Sequence, residues 1–143
     1  MGEKRIAHEK LTAFAAACLE KLGLLQADAR LVAETLVAAN LRGVDSHGVV
    51  RLAHYATRLR NGTVKARPSI TVQRTGASSG VVEGDAGMGQ LVAERAMREA
   101  IALAKESGVG AVVARNSSHC GACAYFVELA VREGLVGIAL THT

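Results

Sequence analysis

The sequence has few aromatic residues and almost no proline. Among its 143 residues it contains no Trp, two Tyr, two Phe and a single Pro, while 50% of the residues are hydrophobic. Such a composition excludes a turn-rich sandwich or barrel and favours helices with buried parallel strands. We therefore expect a helix-rich α/β protein.

Long apolar runs and clustered charges are also missing. No run approaches the roughly 18 residues of a membrane-spanning helix, and residues 1–10 are too polar for the core of a signal peptide. The formal charge is +4, but the basic residues are spread along the chain and alternate with Glu, whereas nucleic-acid binding needs clustered cations and stacking aromatics. We expect a cytoplasmic protein that binds neither membranes nor nucleic acids.

Cysteine is scarce and its count is odd. Cys18, Cys120 and Cys123 lack the spacing of a disulfide framework, which indicates a reducing compartment. A redox pair or, with His119, a metal site at Cys120 and Cys123 is an alternative. Because the sequence offers no second ligand pair at zinc-site spacing, we expect two small buried thiols and no metal.

Hydrophobic periodicity predicts three helices in the first part of the chain, over residues 8–22, 26–41 and about 45–61. The first should bury Phe14 and Cys18. The third should be capped by Asp45 or Ser46 and end at Asn61 and Gly62.

The predicted third helix has two unlike faces. The apolar stripe comprises Val49, Leu52, Ala56 and Leu59. His47, Arg51 and Tyr55 recur at intervals of four on another side. Such a column could bind a small carboxylate and move a proton; a solvated helix face that merely carries these residues explains the spacing equally well.

The pattern changes after Pro68. Two alternating runs, residues 69–75 and 79–85, predict a hairpin, and a helix over 87–108 follows. The sequence GDAGMGQ has the glycine order GxxGxG, not the dinucleotide fingerprint GxGxxG, so we interpret it as a tight turn into that helix. We divide the chain into a helical domain, residues 1–67, and a partial α/β domain, residues 68–143.

A predicted βαβ unit closes the sequence. Its parts are a buried strand at 109–115, the loop NSSHCG, a helix at 122–134 and a second apolar run at 135–141. His119 then lies at the carboxyl end of a strand, where ligands bind in such units. In the alternative interpretation, Asn116 or Ser117 caps the helix and His119 is incidental.

Taken together, RGVDSHGVVR, VEGDAGMGQLVAERAM, GVGAVVARNSSHCGACAYF and EGLVGIALTHT resemble the malate/L-lactate dehydrogenase family, a group without the Rossmann fingerprint. The resemblance implies hydride transfer between NAD or NADP and a small 2-hydroxy or 2-oxo acid of malate or lactate type. It also implies a homodimer built from a helical domain and an unusual α/β domain.

The resemblance assigns roles to the candidate residues. Either His47 or His119 corresponds to the proton-transferring histidine, and Arg51 is expected to hold the substrate carboxylate with Ser46 and Tyr55 close by. From the loop, Asn116, Ser117 and Gly121 are candidates for cofactor binding. Family chains are more than twice as long, so a partial enzyme is expected, and a noncatalytic fragment or partner-binding subunit that keeps the family fold is the alternative.

Overall fold

A computed structural model describes residues 5–142 of the chain. Within that range the backbone forms five α-helices and a three-stranded sheet, with two short 3₁₀ turns between the second and third helices. In chain order the elements are α1 His8–Lys21, α2 Gln26–Leu41, 3₁₀ turns Asp45–His47 and Val49–Arg51, α3 Leu52–Arg60, β1 Thr71–Gly76, β2 Ser79–Gly87, α4 Gly89–Ser107, β3 Ala111–Ser117 and α5 Ala124–Arg132.

The first two helices pack against each other through small and branched apolar residues. Ala15, Ala16 and Ala33 lie at their contact, where small side chains let the two backbones approach closely. Phe14, in contrast, is 61% exposed and Cys18 is only half-buried, so the predicted inward face of α1 was wrong at Phe14.

The main core joins the helices to the start of α4. It includes Leu19, Val32, Leu36 and Tyr55 from the helical part, and Met88 and Leu91 from the sheet side. Because this core contains residues from the helices and from the start of α4, it fixes the position of α3 relative to α4. The domain division at residue 67 stays a prediction.

The predicted third helix is shorter than expected. It ends at Arg60, before Asn61, as predicted, but its first turns are two separate 3₁₀ turns, and neither Asp45 nor Ser46 caps it. The interruption lies at Gly48, whose backbone is extended, with ψ at −155°. Tyr55, predicted on the polar face, is buried to 2% exposure.

The sheet contains a βαβ unit at a different place from the one predicted. β1 and β2 form the expected antiparallel hairpin, whereas β2 and β3 are parallel and α4 is the crossover between them. A parallel pair needs such a crossover because a tight turn cannot join its ends. The fold is therefore α/β as predicted.

The last part of the chain departs from the prediction. β3 lies at the sheet edge and is largely exposed, with Val113 at 66%. The apolar run at 135–141 forms no strand in the described structure, and Val136, Ile138 and Leu140 are at least three-quarters exposed. A strand needs a neighbour for its backbone hydrogen bonds, and β3 pairs only with β2 among residues 5–142.

Two further findings concern membranes and metals. No described helix is both long and apolar enough to cross a bilayer. Among residues 5–142, no three His, Cys, Asp or Glu side chains are placed together to hold a metal ion.

Candidate active site

The turns that carry His47 are fixed by Asn40, in the last turn of α2. The Asn40 side chain accepts a hydrogen bond from the backbone N–H of Val49 at 2.8 Å and donates one to Asp45. Gly48 packs so closely on the Asn40 amide that a Cβ at this position would overlap it. The Gly of DSHG is therefore required by packing, and the turn holds Ser46 and His47 at one place on α2.

Within this turn, Arg51 and His47 both bond to Ser46. The Arg51 Nε donates to the Ser46 backbone carbonyl at 2.6 Å, and the Ser46 hydroxyl lies 3.0 Å from His47 Nδ1. These bonds use only Nε of the guanidinium, and no hydrogen bond from its terminal NH₂ groups is found within residues 5–142. The fork that binds carboxylates is thus not consumed by the fold.

The second imidazole reaches this place through the loop after β3. Gly89, the first residue of α4, packs on the backbone of Ser118 and His119 with no room for a Cβ. Its N–H donates to the Ser118 hydroxyl at 3.0 Å. Gly84 is similarly close to the loop, because its Cβ would lie 2.7 Å from the Asn116 carbonyl oxygen. These glycines serve close backbone approach. The segment predicted as a tight turn is the end of β2, which α4 follows after one residue.

His119 meets Tyr55 across 64 positions of sequence. The Tyr55 hydroxyl lies 2.8 Å from His119 Nδ1, and the Gly121 N–H donates to the same nitrogen at 3.3 Å. Since a backbone N–H can only donate, Nδ1 is an acceptor, so the Tyr55 hydroxyl must also donate. The neutral His119 ring therefore carries its hydrogen at Nε2.

The two predicted histidines lie face to face. The rings of His47 and His119 are stacked with centroids 5.4 Å apart and an angle of 25° between their planes. Burial lowers the pKa of His119 below its usual value, and the charges of Arg51 and His47, with those of His54 and Arg58, lower it further. His119 is accordingly neutral at neutral pH.

Tyr55 keeps its proton under the same conditions. Burial raises its pKa to about 12, although Gln90, Arg51 and Arg58 act in the opposite direction. The Tyr55 hydroxyl therefore stays protonated and donates to His119 Nδ1. The site thus combines one neutral imidazole, one phenol hydroxyl and one guanidinium fork.

The other predicted loop residues differ in what their polar groups bond to. Asn116 has a left-handed backbone, with φ at 49°, and lies beside Glu83, where it holds the pKa of that carboxyl below its usual range. Ser117 is exposed, and its hydroxyl donates to the next backbone carbonyl. Neither residue caps α5. The Gly121 N–H is used by His119 and does not face outward to a ligand.

The thiols at Cys120 and Cys123 are half-buried and unoxidised. Burial raises the pKa of Cys120, and the neighbouring Cys123 raises it further. A raised pKa keeps the thiol protonated, which is the reverse of an activated nucleophile.

Sequence reasoning missed two polar residues of this region, Asn40 and Gln90. Asn40 is recognisable only by its position one turn before DSHG. Gln90 is fully buried at the start of α4, and neither its amide nitrogen nor its oxygen has a hydrogen-bond partner within residues 5–142. A polar residue between Gly89 and the apolar pair Leu91 and Val92 was the available signal.

Comparison with solved structures gives the class of protein first. The chain superposes on malate dehydrogenase from Pyrococcus horikoshii with a TM-score of 0.89 and 44% identity, over 92% of this chain and 38% of that one. The fold is therefore that of the N-terminal part of a dehydrogenase of this structural type.

Sequence comparison then gives the family. The chain belongs to the malate/L-lactate dehydrogenase family, whose model matches residues 6–143. It is 44% identical to malate dehydrogenase of Pyrococcus horikoshii over 97% of this chain and 39% of the relative. It is 39% identical to L-sulfolactate dehydrogenase of Methanocaldococcus jannaschii over 87% and 36%. It is 38% identical to ureidoglycolate dehydrogenase (NAD(+)) of Escherichia coli over 85% and 35%. The chain thus spans less than two-fifths of the length of these relatives.

Proposed function

We propose that these residues form the proton-transfer and carboxylate-binding part of an NAD- or NADP-dependent dehydrogenase that interconverts a small 2-hydroxy acid and its 2-oxo acid. The observation that supports this most directly is the meeting of His119 with Tyr55 and His47 beside Arg51. The relatives' names support a hydroxy acid, since malate, sulfolactate and ureidoglycolate all carry a hydroxyl next to a carboxylate.

His119 is the proton-transferring residue in this proposal. During reduction, the hydrogen on Nε2 passes to the carbonyl oxygen of the oxo acid, and the Tyr55 hydroxyl supplies a proton to Nδ1. The ring therefore stays neutral overall, while the charge that forms rests on the phenol oxygen. A neutral relay suits a ring whose pKa is lowered by cationic neighbours. His47, stacked on His119, is the second candidate.

Arg51 binds the carboxylate. Its Nε bond to the Ser46 carbonyl orients the guanidinium, and its terminal NH₂ groups form the planar fork that matches two carboxylate oxygens. Ser46 and Tyr55 complete the binding group, because their hydroxyls lie against the two imidazoles.

The residues present fit one end of a nicotinamide cofactor. Asn116 and Ser117 place an amide and a hydroxyl at the exposed carboxyl end of β3, and such groups suit the polar ends of a dinucleotide. When bound, the nicotinamide supplies or accepts the hydride. Gly121 would contribute by keeping the loop close, since its own N–H is already bonded.

The test is turnover by the natural gene product that carries these residues. Oxaloacetate and pyruvate are each supplied with NADH and with NADPH, and oxidation of the reduced cofactor is followed by its absorbance. We expect turnover of at least one pair and its loss in His119→Gln. A folded protein that reduces neither acid with either cofactor would overturn the proposal.

A second candidate, a noncatalytic partner-binding subunit, is favoured by the exposed residues Val136, Ile138 and Leu140 and by the free edge of β3. In either role we place the protein in the cytoplasm. As a dehydrogenase it would be a homodimer. Light scattering after size exclusion tests the dimer. A monomer at micromolar concentration would count against both the dimer and the need for a partner.

A further inference from the structure

Gln90 is the one residue of the described core whose side chain has unsatisfied polar atoms. Its relative exposure is 0%, and both amide atoms lack a hydrogen-bond partner within residues 5–142. A buried polar group in that state costs about 1–3 kcal/mol of folding free energy. Methionine has nearly the same shape without the polar atoms, so stability alone does not explain a glutamine here.

The position of the Gln90 amide indicates which groups of the site it acts on. Its Nε2 lies 3.7 Å from the place that a Cβ on Gly121 would occupy. It also lies beside the Tyr55 hydroxyl, where its influence lowers the pKa of Tyr55. Tyr55 and Gly121 are the two donors to His119 Nδ1. The amide therefore lies behind the pair of groups that fix the His119 ring.

We propose that Gln90 is a positioning residue of the candidate site: its amide, which has no hydrogen-bond partner within residues 5–142, turns its N–H to the Tyr55 hydroxyl oxygen and so directs the Tyr55 hydrogen at His119 Nδ1. The resulting chain of donors runs from Gln90 to Tyr55 to His119. Gln90 stabilises the phenol oxygen when the Tyr55 proton moves to Nδ1, because the amide N–H then bonds to a charged acceptor.

This inference rests on the proposed function, since a stabilised phenol oxygen has a use only if Tyr55 passes on its proton. It also has a cause in the fold: Gly89 lets the His119 loop lie on the start of α4, which places the next residue, Gln90, beneath that loop. The close packing at Gly89 and the burial of Gln90 are thus two parts of one arrangement.

The experiment measures the pKa of Tyr55 without any assay of turnover. The chain has two tyrosines, Tyr55 and Tyr125, so Tyr125→Phe leaves a single position for 3-fluorotyrosine, and fluorine NMR then follows its titration. Gln90→Met should raise the Tyr55 pKa by about one unit, the size expected when a hydrogen bond to a charged group is lost. Gln90→Glu, which replaces the donating NH₂ by an acceptor oxygen, should raise it as well.

Val92→Ala is the matched control, because it removes buried volume from the same helix and leaves the amide in place. It should lower the free energy of unfolding without moving the Tyr55 titration, whereas Gln90→Met should not lower the free energy of unfolding, because it removes the unpartnered amide. An unchanged Tyr55 pKa in both folded Gln90 variants would overturn the inference. Failure of the dehydrogenase assay with a shifted titration would overturn only the proposed function.

Discussion

The two segments that present the imidazoles are held in different ways. The turn at 45–51 is held by the Asn40 side chain, which bonds to Asp45 at its start and to the backbone N–H of Val49. The loop at 118–121 is instead pressed against backbone, because Gly89 has no room for a Cβ beside Ser118 and His119. One segment depends on a replaceable side chain, and the other depends on the path of the main chain.

The imidazole rings of His47 and His119 also differ in their hydrogen-bond partners. His47 bonds to the Ser46 hydroxyl, which can donate or accept. His119 bonds to a backbone N–H, which can only donate, so its tautomer is set. The hydrogen on the His119 ring is therefore fixed by the fold, whereas the hydrogen on the His47 ring can lie on either nitrogen.

The largest expected effect is a difference in kcat between variants of the two histidines. In the natural gene product, His119→Gln should lower kcat by about 10²–10⁴-fold, the usual contribution of a positioned acid or base. His47→Gln should lower it much less. Steady-state kinetics with the preferred oxo acid measures both, and a larger loss in His47→Gln would reverse the roles assigned here.

Loss of the Arg51 guanidinium should weaken substrate binding. Arg51→Leu removes the fork and should raise KM by about 10–100-fold, as expected for a charged hydrogen-bonded pair. Arg60→Leu, which changes an exposed arginine at the end of α3, is the control and should behave like the wild type. Equal effects of the two variants would remove Arg51 from the substrate site.

The packing of Gly48 against a side chain and of Gly89 against backbone can be compared through the free energy of unfolding. Gly89→Ala should cost about 1–3 kcal/mol, typical of overpacking, because carbonyl groups cannot move away. Gly48→Ala should cost less in an Asn40→Ala background than alone, since its obstacle is then gone. Urea denaturation of the four variants measures this, and additive losses at residues 40 and 48 would contradict the assigned contact.

The smallest effect is a pH dependence of stability. The pKa of His119 is lowered in the folded state, so the unfolded chain binds more protons just below about pH 6.5. The stabilisation is complete above that pH and is lost as the pH falls toward the folded-state pKa. His119→Gln should flatten the dependence of the unfolding free energy on pH over this window.

Helix positions were predictable because periodicity is local. α2 has the predicted bounds, and α1 and α4 differ from theirs by only one or two residues. The break at Gly48 was not predictable from periodicity, since its cause is contact with Asn40 on another helix. The strand expected at 135–141 was wrong for a related reason: an apolar run does not specify which strand edge it pairs with, and residues 135–141 leave the free edge of β3 unpaired within the described structure.

The candidate site was predictable in part. Intervals of four placed His47, Arg51 and Tyr55 together, and family resemblance added His119. Burial of Tyr55 and the neutral state of His119 depend on the packing of α3 against α4 and on nearby cations. For Gln90 the sequence offers only a polar residue before an apolar pair, because its missing hydrogen-bond partners appear only in the three-dimensional structure.

The Tyr55–His119 hydrogen bond joins residues 64 positions apart. Closing so long a stretch of chain is entropically costly, whereas α1 and α2 are neighbours in sequence and can associate early. Of these two contacts, only the one between His119 and Tyr55 requires so long a closure. We therefore expect the candidate site to form later in folding than the contact between α1 and α2.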